Sequence, residues 1–347
     1  MQIIAFIIFF IFAIWITSKN NPEMIKLYLI LTCVVLVFFS GFRDAHVWAD
    51  TDSYIICFRK TPSIFDYSPL DSPYGYNERG FHLLSVLIKT ISNSYQFYFL
   101  AIAAITMYYV SKGVLRYSSF PLIGLAVYIA RFFAGRNMMQ IRSGLAYAIC
   151  ILGFKYLTER DWKKYFLIVG IAWCFHHSAI IAVPLYFITA IRIKKWHVFW
   201  GMLIAFILGG FFQSELQLFV TDNAEDFGKG MTSYTKGIEV ERAKGLANPL
   251  IYYQTFLLFV YTYFEKFLKR NNIHYYAIRA AYLYSTMILT TFCMFLGLST
   301  RTSTLFATME IAIIPSLLNL FNKKERIVGY LVLGVALTGI FYMNYIM

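Results

Sequence analysis

The chain has 347 residues, of which 59% are hydrophobic and only 14% are charged, and its mean hydropathy is +0.60. This composition excludes an ordinary soluble enzyme and is typical of a protein that crosses a membrane many times. The formal net charge of +13 does not indicate binding to nucleic acid, because the basic residues gather in short loops between apolar runs. That pattern is the positive-inside bias, which orients helices in a membrane, and we expect no nucleic-acid partner.

The apolar runs predict an all-α polytopic membrane protein with about 12 transmembrane helices. The whole chain, 1–347, is expected to form a single integral membrane domain with both termini outside and two long external loops, at 43–80 and 213–248. The predicted apolar segments, in chain order, are 3–17, 27–42, 81–91, 95–110, 122–135, 140–157, 165–191, 198–212, 249–267, 277–298, 304–320 and 327–346. The segment 81–91 is shorter than the ~17 residues of a span, so we expect an interfacial or re-entrant helix there.

The segment 165–191 is predicted to be broken. Basic loops flank it on both sides, so both of its ends are expected to face the cytoplasm, which one straight helix cannot achieve. His176-His177-Ser178 interrupts the apolar run near its middle, and two halves of about 12 residues would each reach only ~18 Å. Irregular backbone at that depth is tolerated only against protein or a cavity. The sequence therefore predicts a broken or re-entrant pair of helices whose histidine turn is a candidate site.

Three arginines, Arg131, Arg136 and Arg142, lie between apolar runs at 122–130 and 145–157 with no acidic residue among them. An arginine at the centre of a bilayer costs roughly 2.5–3.5 kcal/mol on insertion scales. Unpaired guanidinium groups at the mouth of a helical bundle therefore predict an anionic ligand, and a guanidinium fork suits phosphate best. The alternative, that an arginine snorkels to lipid headgroups, fits Arg131 better than Arg136 or Arg142.

The predicted topology places the unusual polar residues on the outer side, mostly at the mouths of helices. They are Arg43, Asp50, Asp52, Glu78, Arg136, Gln140, Arg142, His176, His177 and Arg301. Arginines combined with carboxylates and imidazoles suit the transfer of a group from a phosphate-linked donor. The arginines would stabilise the leaving diphosphate, and a carboxylate or an imidazole would take a proton from an acceptor hydroxyl.

The candidate bases are Asp52, Glu78 and His177, and the sequence does not separate them from one another or from hydrogen-bonded structural roles. Asp50 and Asp52 could hold a divalent cation, but an Asp-x-Asp pair alone is a weak metal signal, and we expect no bound metal. Gln140 could position a sugar or cap a turn, and both possibilities stay open.

Several segments, in matching order, resemble those of the EpsG-like, Wzy-type repeat-unit polymerases. Phe42-Arg-Asp followed by Ala49-Asp-Thr-Asp-Ser-Tyr54 resembles the Arg…Gly-Thr-Asp-Tyr segment of that family, and Glu78-Arg-Gly-Phe-His-Leu-Leu is similar to its Glu-Pro-Gly segment. Arg136-Asn-Met-Met-Gln-Ile-Arg-Ser-Gly-Leu-Ala146 and Phe175-His-His-Ser-Ala-Ile180 resemble its Arg-x-x-Ile-Arg-Gln-Gly-Leu-Ala and Phe-His-x-Ser-Ala segments. Arg301 is similar to a late arginine of the family. The departures are Ala49-Asp50 where the family usually has Gly, Arg79 where it has Pro, and Ser143 where it has Gln.

The resemblance implies a GT-C-like glycosyltransferase bundle in the bacterial inner membrane, with its active site facing the periplasm. Such an enzyme would polymerise undecaprenyl-diphosphate-linked oligosaccharide repeat units into O-antigen or into capsular polysaccharide or exopolysaccharide, without a nucleotide sugar, cofactor or metal. Its partners would be the lipid-linked donor and acceptor, the bilayer and, where one binds, a Wzz-type chain-length regulator. Its substrate-binding residues would be Arg43, Arg136, Gln140, Arg142, His176 and Arg301.

A flippase or other transporter of lipid-linked oligosaccharide is the main alternative from another functional class. Transporters often contain paired repeats with broken helices at corresponding positions, whereas this sequence has one broken segment and no visible repeat. An O-antigen ligase shares nearly all of the same physics and is separated only by the resemblance. An O-acetyltransferase is a further alternative, but the first predicted helix lacks the Arg…His pair that such enzymes use.

Overall fold

The structure, a computed structural model, describes residues 2–44, 46–74, 78–223 and 243–345. Within these ranges the chain forms helices and short connections with no β-strand, which confirms the all-α prediction. The α-helices are α1 (Gln2–Lys19), α2 (Pro22–Gly41), α3 (Thr51–Lys60), α4 (Arg79–Ile91), α5 (Tyr95–Tyr117), α6 (Pro121–Tyr128), α7 (Ile141–Ile151), α8 (Gly153–Glu159), α9 (Trp162–Phe175), α10 (Val183–Ile188), α11 (Lys195–Gly210), α12 (Gln213–Asp222), α13 (Pro249–Tyr263), α14 (Glu265–Leu268), α15 (Tyr275–Thr291), α16 (Leu296–Ala307), α17 (Glu310–Ser316) and α18 (Arg326–Tyr345). The other helical elements are a π-helix, Ile129–Met139, and four 3-10 helices, Ile64–Asp66, His177–Ala182, Gly245–Ala247 and Leu317–Leu320.

Four of these helices, α1, α2, α5 and α18, are long and apolar enough to cross a membrane. Two bent helix pairs raise the number to six if each pair acts as one span: α11 with α12, bent by 77°, and Gly297–Ala307 with Glu310–Leu320. The described chain is therefore a multi-pass membrane protein with four to six candidate spans. Several other predicted spans are shorter helices, such as the 14-residue α9 and the 15-residue α13. About 12 crossings and a GT-C-like bundle stay predictions.

The chain divides into two compact units, the first comprising Met1–Val183 and Glu310–Met347 and the second comprising Pro184–Met309. In the first unit, α2 packs against α5, α5 against α7 and α7 against α9, while the π-helix packs against α18. In the second unit, α11 and α13 both pack against α15, which also packs against α16. A single integral membrane domain over the whole chain stays a prediction.

The segment predicted as a helix at 122–135 is α6 followed by the π-helix, and side chains from distant parts of the first unit satisfy carbonyl groups at both of its ends. At its start, the Tyr345 hydroxyl donates to the Ile129 carbonyl over 2.8 Å. At its end, Arg43 Nη1 donates to the Met138 carbonyl over 2.6 Å. A change of helical register frees backbone carbonyls, and π-helical turns occur frequently at functional sites. Arg131 and Arg136 thus lie on a π-helix, which the apolar pattern does not predict.

The predicted break in 165–191 is present in the structure. Helix α9 ends at Phe175, His176 is extended with φ −157° and ψ 124°, and a 3-10 helix follows. The returning chain is fixed to α9 because the Tyr165 hydroxyl donates to the Ala182 carbonyl over 2.7 Å. The break therefore holds the two histidines at a turn of the first unit, and the orientation of its ends in the membrane stays a prediction.

Both predicted external loops contain helices. The loop at 43–80 carries α3, and the loop at 213–248 begins with α12, while residues 224–242 within it lie outside the described part of the chain. The short apolar segment 81–91 is part of the 13-residue helix α4, which packs against α5 and α9. Its length is below that of a span, as expected from the sequence.

Candidate active site

One hydrophobic cluster in the first unit brings several motif segments together. It contains Tyr54, Phe81 and Ile141, and Phe175 packs against it. Each of these apolar residues lies within three positions of a candidate site residue, namely Asp52, Glu78, Arg142 and His176. Burial of the aromatic and aliphatic neighbours therefore brings four distant segments that carry polar residues to one cluster.

The centre of the candidate site is an ion pair between Arg142 and Glu78. Arg142 Nη1 lies 2.7 Å from Glu78 Oε2, and the two side chains are 16% and 4% exposed. Arg142 stands in the first turn of α7, and Glu78 directly precedes α4. Charge-assisted contacts of this length are strong, and breaking a buried pair by removing one partner typically costs about 3–5 kcal/mol. The pair therefore fixes the orientation of the guanidinium group.

The histidine turn closes on the other oxygen of Glu78. The His177 backbone N–H donates to Glu78 Oε1 over 3.3 Å, and His176 Nε2 lies 3.9 Å from the same atom. The Ser178 backbone N–H donates to His176 Nδ1 over 3.1 Å. Because Nδ1 accepts this bond, the neutral His176 ring carries its proton on Nε2, the nitrogen that faces Glu78.

The hydrogen-bonded network continues from His176 to Tyr147. The Ser178 hydroxyl lies 2.6 Å from His176 Nδ1 and 2.8 Å from the Tyr147 hydroxyl. The Tyr147 ring lies under the guanidinium of Arg136, 5.2 Å from Cζ to the ring centroid. The structure therefore links the arginine cluster to the histidine turn through two residues, Tyr147 and Ser178, that sequence analysis did not select.

Arg136 is buried on the π-helix, with 5% of its surface exposed, and its Cζ also lies 4.7 Å from the centroid of the Phe132 ring. Helix α7 approaches this turn closely, because a Cβ at Gly144 would collide with the Arg136 carbonyl. The glycine two positions after Arg142 is thus required for the approach of the two arginine-bearing elements.

Asp52 is close in sequence to the cluster residue Tyr54, but it does not contact the Arg142–Glu78 ion pair. Its neighbour Tyr54 is buried, and the Tyr54 ring centroid lies 5.9 Å from Arg142 Cζ. The Asp52 carboxylate itself is 58% exposed and pairs with His46 Nδ1 at 3.3 Å. The structure therefore leaves Asp52 on the surface of its helix.

Asp50 has a backbone conformation that restricts the residue type at this position. Asp50 precedes α3 with φ +65° and ψ −10°, in the left-handed region, and its side chain makes no capping hydrogen bond. Gly adopts this region most readily, and Asp and Asn tolerate it better than other residues. The residue type at this position is set by backbone geometry, and no ligand is needed to explain it.

Arg43, expected to contact substrate, is 7% exposed and holds the end of the π-helix. Its Nη1 donates to the carbonyls of Asn137 and Met138 over 2.9 and 2.6 Å, and its Cζ lies 3.8 Å from the Phe99 ring centroid. Burial lowers the pKa of the Arg43 guanidinium to about 10, so it stays charged at neutral pH. These contacts fix the end of the π-helix, and substrate binding by Arg43 stays a prediction.

Gln140 and Arg301 are two further predicted substrate-binding residues. Gln140 is half-buried and connects the π-helix to α7. Arg301 is half-buried in α16 of the second unit. The contacts given above for Glu78 involve neither residue, and the roles of Gln140 and Arg301 in substrate binding stay predictions.

The expectation that the arginine cluster lacks acidic partners is wrong for two of its members. Arg142 pairs with Glu78, and Arg131 Nε lies 3.7 Å from Glu310 Oε2, with side-chain exposures of 13% and 0%. Arg131 is therefore held by a buried carboxylate, which contradicts a simple snorkelling role. A lone Glu within the apolar run 304–320 was the signal that could have found Glu310, since such intramembrane carboxylates commonly have partners or functions.

Electrostatics distinguish Glu78 from an exposed carboxylate. Burial raises the pKa of Glu78 above its ordinary value of 4.5, and the charge of Arg142 opposes that effect. Within the described ranges, no three His, Cys, Asp or Glu side chains gather in an arrangement suited to a metal ion. The site thus combines cationic groups, a buried carboxylate and two imidazoles, which together can bind an anion and accept a proton.

Comparison with known proteins identifies the family of the chain. The profile of the EpsG family matches residues 26–347. The chain belongs to the EpsG family. An amylovoran biosynthesis protein of Erwinia amylovora, AmsC, is similar to this EpsG-family chain, with 24% identity over 178 residues that cover 50% of the chain and 47% of AmsC.

The chain thus spans about half the length of that relative. No solved structure matches this member of the EpsG family.

Proposed function

We propose that this EpsG-family chain is a membrane glycosyltransferase that polymerises lipid-linked oligosaccharide repeat units at the outer face of the bacterial inner membrane. The observation that carries the proposal is the convergence of Arg142, Glu78 and the histidine turn on one network. The Arg142 contact spans 64 residues of sequence and the His177 contact spans 99. Packing for fold alone does not require a buried carboxylate, a partly exposed arginine and two imidazoles at one point.

In the proposed reaction, a hydroxyl of the acceptor repeat unit attacks the anomeric carbon of the sugar attached to the donor diphosphate. The new glycosidic C–O bond forms as the bond from the anomeric carbon to the diphosphate oxygen breaks, and the diphosphate leaves with the electron pair. The hydroxyl proton passes to a base of the protein. No nucleotide sugar, cofactor or metal enters this scheme, and the lipid-linked donor supplies the leaving group.

Arg142 is the proposed contact for the leaving diphosphate. Its side chain is 16% exposed while its partner Glu78 is 4% exposed, so an incoming anion meets the guanidinium before it meets the carboxylate. The diphosphate joins or displaces the Glu78 contact. Preorganised cationic donors that face developing negative charge are usually the largest single contribution to catalysis. Arg136, Arg301 and Gln140 are assigned to the same substrates as further binding residues.

His177 is the proposed proton acceptor among the three candidate bases. Both carboxylate oxygens of Glu78 are engaged, one by Arg142 and one by the His177 backbone N–H, so Glu78 is assigned as a positioning residue. Asp52 pairs with His46 on the surface. The half-buried His177 ring stacks on Trp173 at 4.9 Å between centroids, and no hydrogen bond to its ring nitrogens is found among the described residues. An accessible imidazole is the commonest general base.

The test is reconstitution of the purified protein in liposomes with undecaprenyl-diphosphate-linked repeat units and no nucleotide sugar. The proposal predicts a ladder of glycans longer than one repeat, with release of undecaprenyl diphosphate. Transport of the lipid-linked unit across the bilayer without elongation would identify a flippase instead. Transfer of a single glycan to a different acceptor would identify a ligase.

A further inference from the structure

An apolar groove of about 530 Å³ lies in the first unit, and its lining residues include none from the network around Glu78. Helices α1 and α2, the π-helix and α18 line it, with Phe6, Phe9, Val35, Phe39 and Phe133 among the wall residues. Its volume falls within the range of about 300–1,000 Å³ that is typical of small-molecule sites. The proposed proton transfer and diphosphate contacts make no use of this space.

Three hydroxyl groups in the wall of the groove are turned to the protein itself. The Tyr28 hydroxyl donates to the Phe9 carbonyl over 3.3 Å, the Thr32 hydroxyl to the Tyr28 carbonyl over 2.8 Å, and the Tyr345 hydroxyl to the Ile129 carbonyl over 2.8 Å. With these hydroxyls satisfied, the groove offers an occupant mainly hydrocarbon and aromatic surface. It therefore suits an apolar chain better than a sugar.

Two stripes of wall residues lead from the groove towards a buried cation. On α2, the stripe runs through Thr32, Val35 and Phe39 at helical spacing, and Arg43 follows four positions after Phe39. On the π-helix, Ile129 and Phe133 line the groove, and Asn137 follows four positions after Phe133. The stripes meet where Arg43 Nη1 donates to the Asn137 carbonyl over 2.9 Å.

The meeting point is rich in donors and positively charged. Arg43 and Asn137 are 7% and 2% exposed, and within the described ranges Arg43 Nε and Asn137 Nδ2 have no hydrogen-bond partner. No carboxylate of the described chain lies within 4.0 Å of the Arg43 guanidinium. An apolar groove whose wall stripes lead to a cation without a carboxylate partner is complementary to a molecule with a hydrocarbon chain and an anionic head.

We propose that this groove binds the isoprenoid chain next to the diphosphate of the lipid-linked substrate, an inference that rests on the proposed function. The π-helix connects the two parts of the ligand, because its groove-lining residues precede Arg136 and its end leads through Gln140 to Arg142. A polyprenyl diphosphate carries one chain and a doubly charged head. It matches one groove with a nearby cation better than a phospholipid, which has two chains and a single phosphodiester charge.

A pair of adjacent valines gives a matched test. Val35 lines the groove and Val34 does not, although both lie on α2 and are exposed in the protein, at 65% and 46%. Replacing either by Trp leaves the buried core untouched. The protein in nanodiscs is labelled with a polyprenyl diphosphate that carries a diazirine on an isoprene unit near the head, and the labelled peptides are mapped.

The wild-type protein and V34W should be labelled in α1, α2 and the π-helix, and untagged polyprenyl diphosphate should compete. V35W should lose about tenfold or more of this labelling, since its ring occupies the space of the chain. Equal labelling of V34W and V35W would overturn the proposal, as would competition by phosphatidylglycerol in place of polyprenyl diphosphate. If only the groove assignment is wrong, V35W and V34W are labelled alike and the wild-type protein still makes a glycan ladder. If only the proposed function is wrong, no ladder forms and specific labelling of the groove remains.

Discussion

Two Arg–Glu pairs in this chain have the same Nη1–Oε2 distance of 2.7 Å and opposite patterns of exposure. In the pair of the first unit, Arg142 is 16% exposed and Glu78 is 4% exposed. In the pair of the second unit, Arg279 is 0% exposed and Glu265 is 17% exposed. In the first pair the guanidinium is therefore the more accessible group, and in the second pair the carboxylate is.

The surroundings of the two pairs differ in the same sense. Arg279 also donates to the Ile193 carbonyl, and its Cζ lies 5.2 Å from the Tyr275 ring centroid, so the protein encloses it. Glu78 instead holds Arg142 on one oxygen and the histidine turn on the other. An enclosed guanidinium stabilises the fold, whereas an accessible guanidinium that a buried carboxylate orients can also receive an anion. The distance alone would not have distinguished a structural pair from a candidate site.

The largest expected effect is at the proton acceptor beside the first pair. His177→Asn removes the imidazole and keeps a polar side chain, and the rate of glycan elongation should fall by about 10²–10⁴, the usual contribution of general acid–base catalysis. The rate is measured per folded protein in the liposome assay. His274→Asn, five residues before Arg279, is the matched control and should elongate normally. Normal elongation by His177→Asn would remove the proposed base.

The next effect compares the two arginines directly. Arg142→Lys keeps the charge but loses the planar fork of donors, and elongation should fall by about 10²–10³, as on loss of one preorganised oxyanion contact. Arg279→Lys should lower the melting temperature and leave the rate per folded molecule unchanged. If Arg142→Lys also lowers only the amount of folded protein, its pair is structural like the second one.

Acidification should separate activity from stability at the first pair. Burial raises the pKa of Glu78 above 4.5, so protonation begins at a higher pH than for an ordinary Glu and releases Arg142. Elongation should therefore fall as the pH drops through the folded pKa. A group whose pKa is raised in the folded state contributes stability at low pH, and this contribution is lost as the pH rises through the folded pKa. Acidification should therefore lower the elongation rate while the contribution of Glu78 to stability increases.

Glu78→Gln is the control for this pH effect, because it removes the titrating group. Its unfolding midpoint and its residual rate should show a weaker dependence on pH in that window than the wild type shows. An identical acid limb in both proteins would assign the titration to another residue.

The smallest effect is expected at Asp50, whose φ is +65°. Asp50→Gly should retain full elongation and change the free energy of unfolding by less than about 1 kcal/mol, since relief in the folded state offsets the greater freedom of the unfolded chain. Asp50→Val should destabilise the protein by about 1–2 kcal/mol. Both are measured by thermal unfolding in detergent. Loss of elongation in a stable Asp50→Gly protein would show that the carboxylate has a functional role.

The sequence predicted those features that depend on local pattern. Helical character, the break at His176 and the importance of the segments around Glu78 and Arg142 follow from apolar periodicity, flanking charge and motif order. The pairing of Arg142 with Glu78 depends on tertiary packing that brings together two residues 64 positions apart, which no local pattern encodes. The sequence does not predict the π-helix for the same reason, because Arg43 and Tyr345, from distant parts of the chain, donate hydrogen bonds to carbonyl groups at its two ends.

The roles of Asp52 and Arg131 depend on side-chain burial, which the sequence does not show. The sequence does not separate Asp52 from Glu78 as a base, whereas in the structure Asp52 is 58% exposed and Glu78 is 4% exposed. For Arg131 the sequence leaves lipid headgroups and an anionic ligand as alternatives, whereas the side chain lies beside the fully buried Glu310. In both cases the residue type was informative and the side-chain environment decided its role.

The most direct measurement is the affinity of the purified protein for undecaprenyl diphosphate, because it examines the accessible guanidinium without requiring catalysis. Isothermal titration in nanodiscs compares the wild type with Arg142→Lys and Arg279→Lys. We expect Arg142→Lys to raise the Kd by about tenfold or more, the equivalent of one charge-assisted contact, while Arg279→Lys binds like the wild type. Wild-type affinity in Arg142→Lys and in Arg142→Ala would contradict a diphosphate site at the Arg142–Glu78 pair.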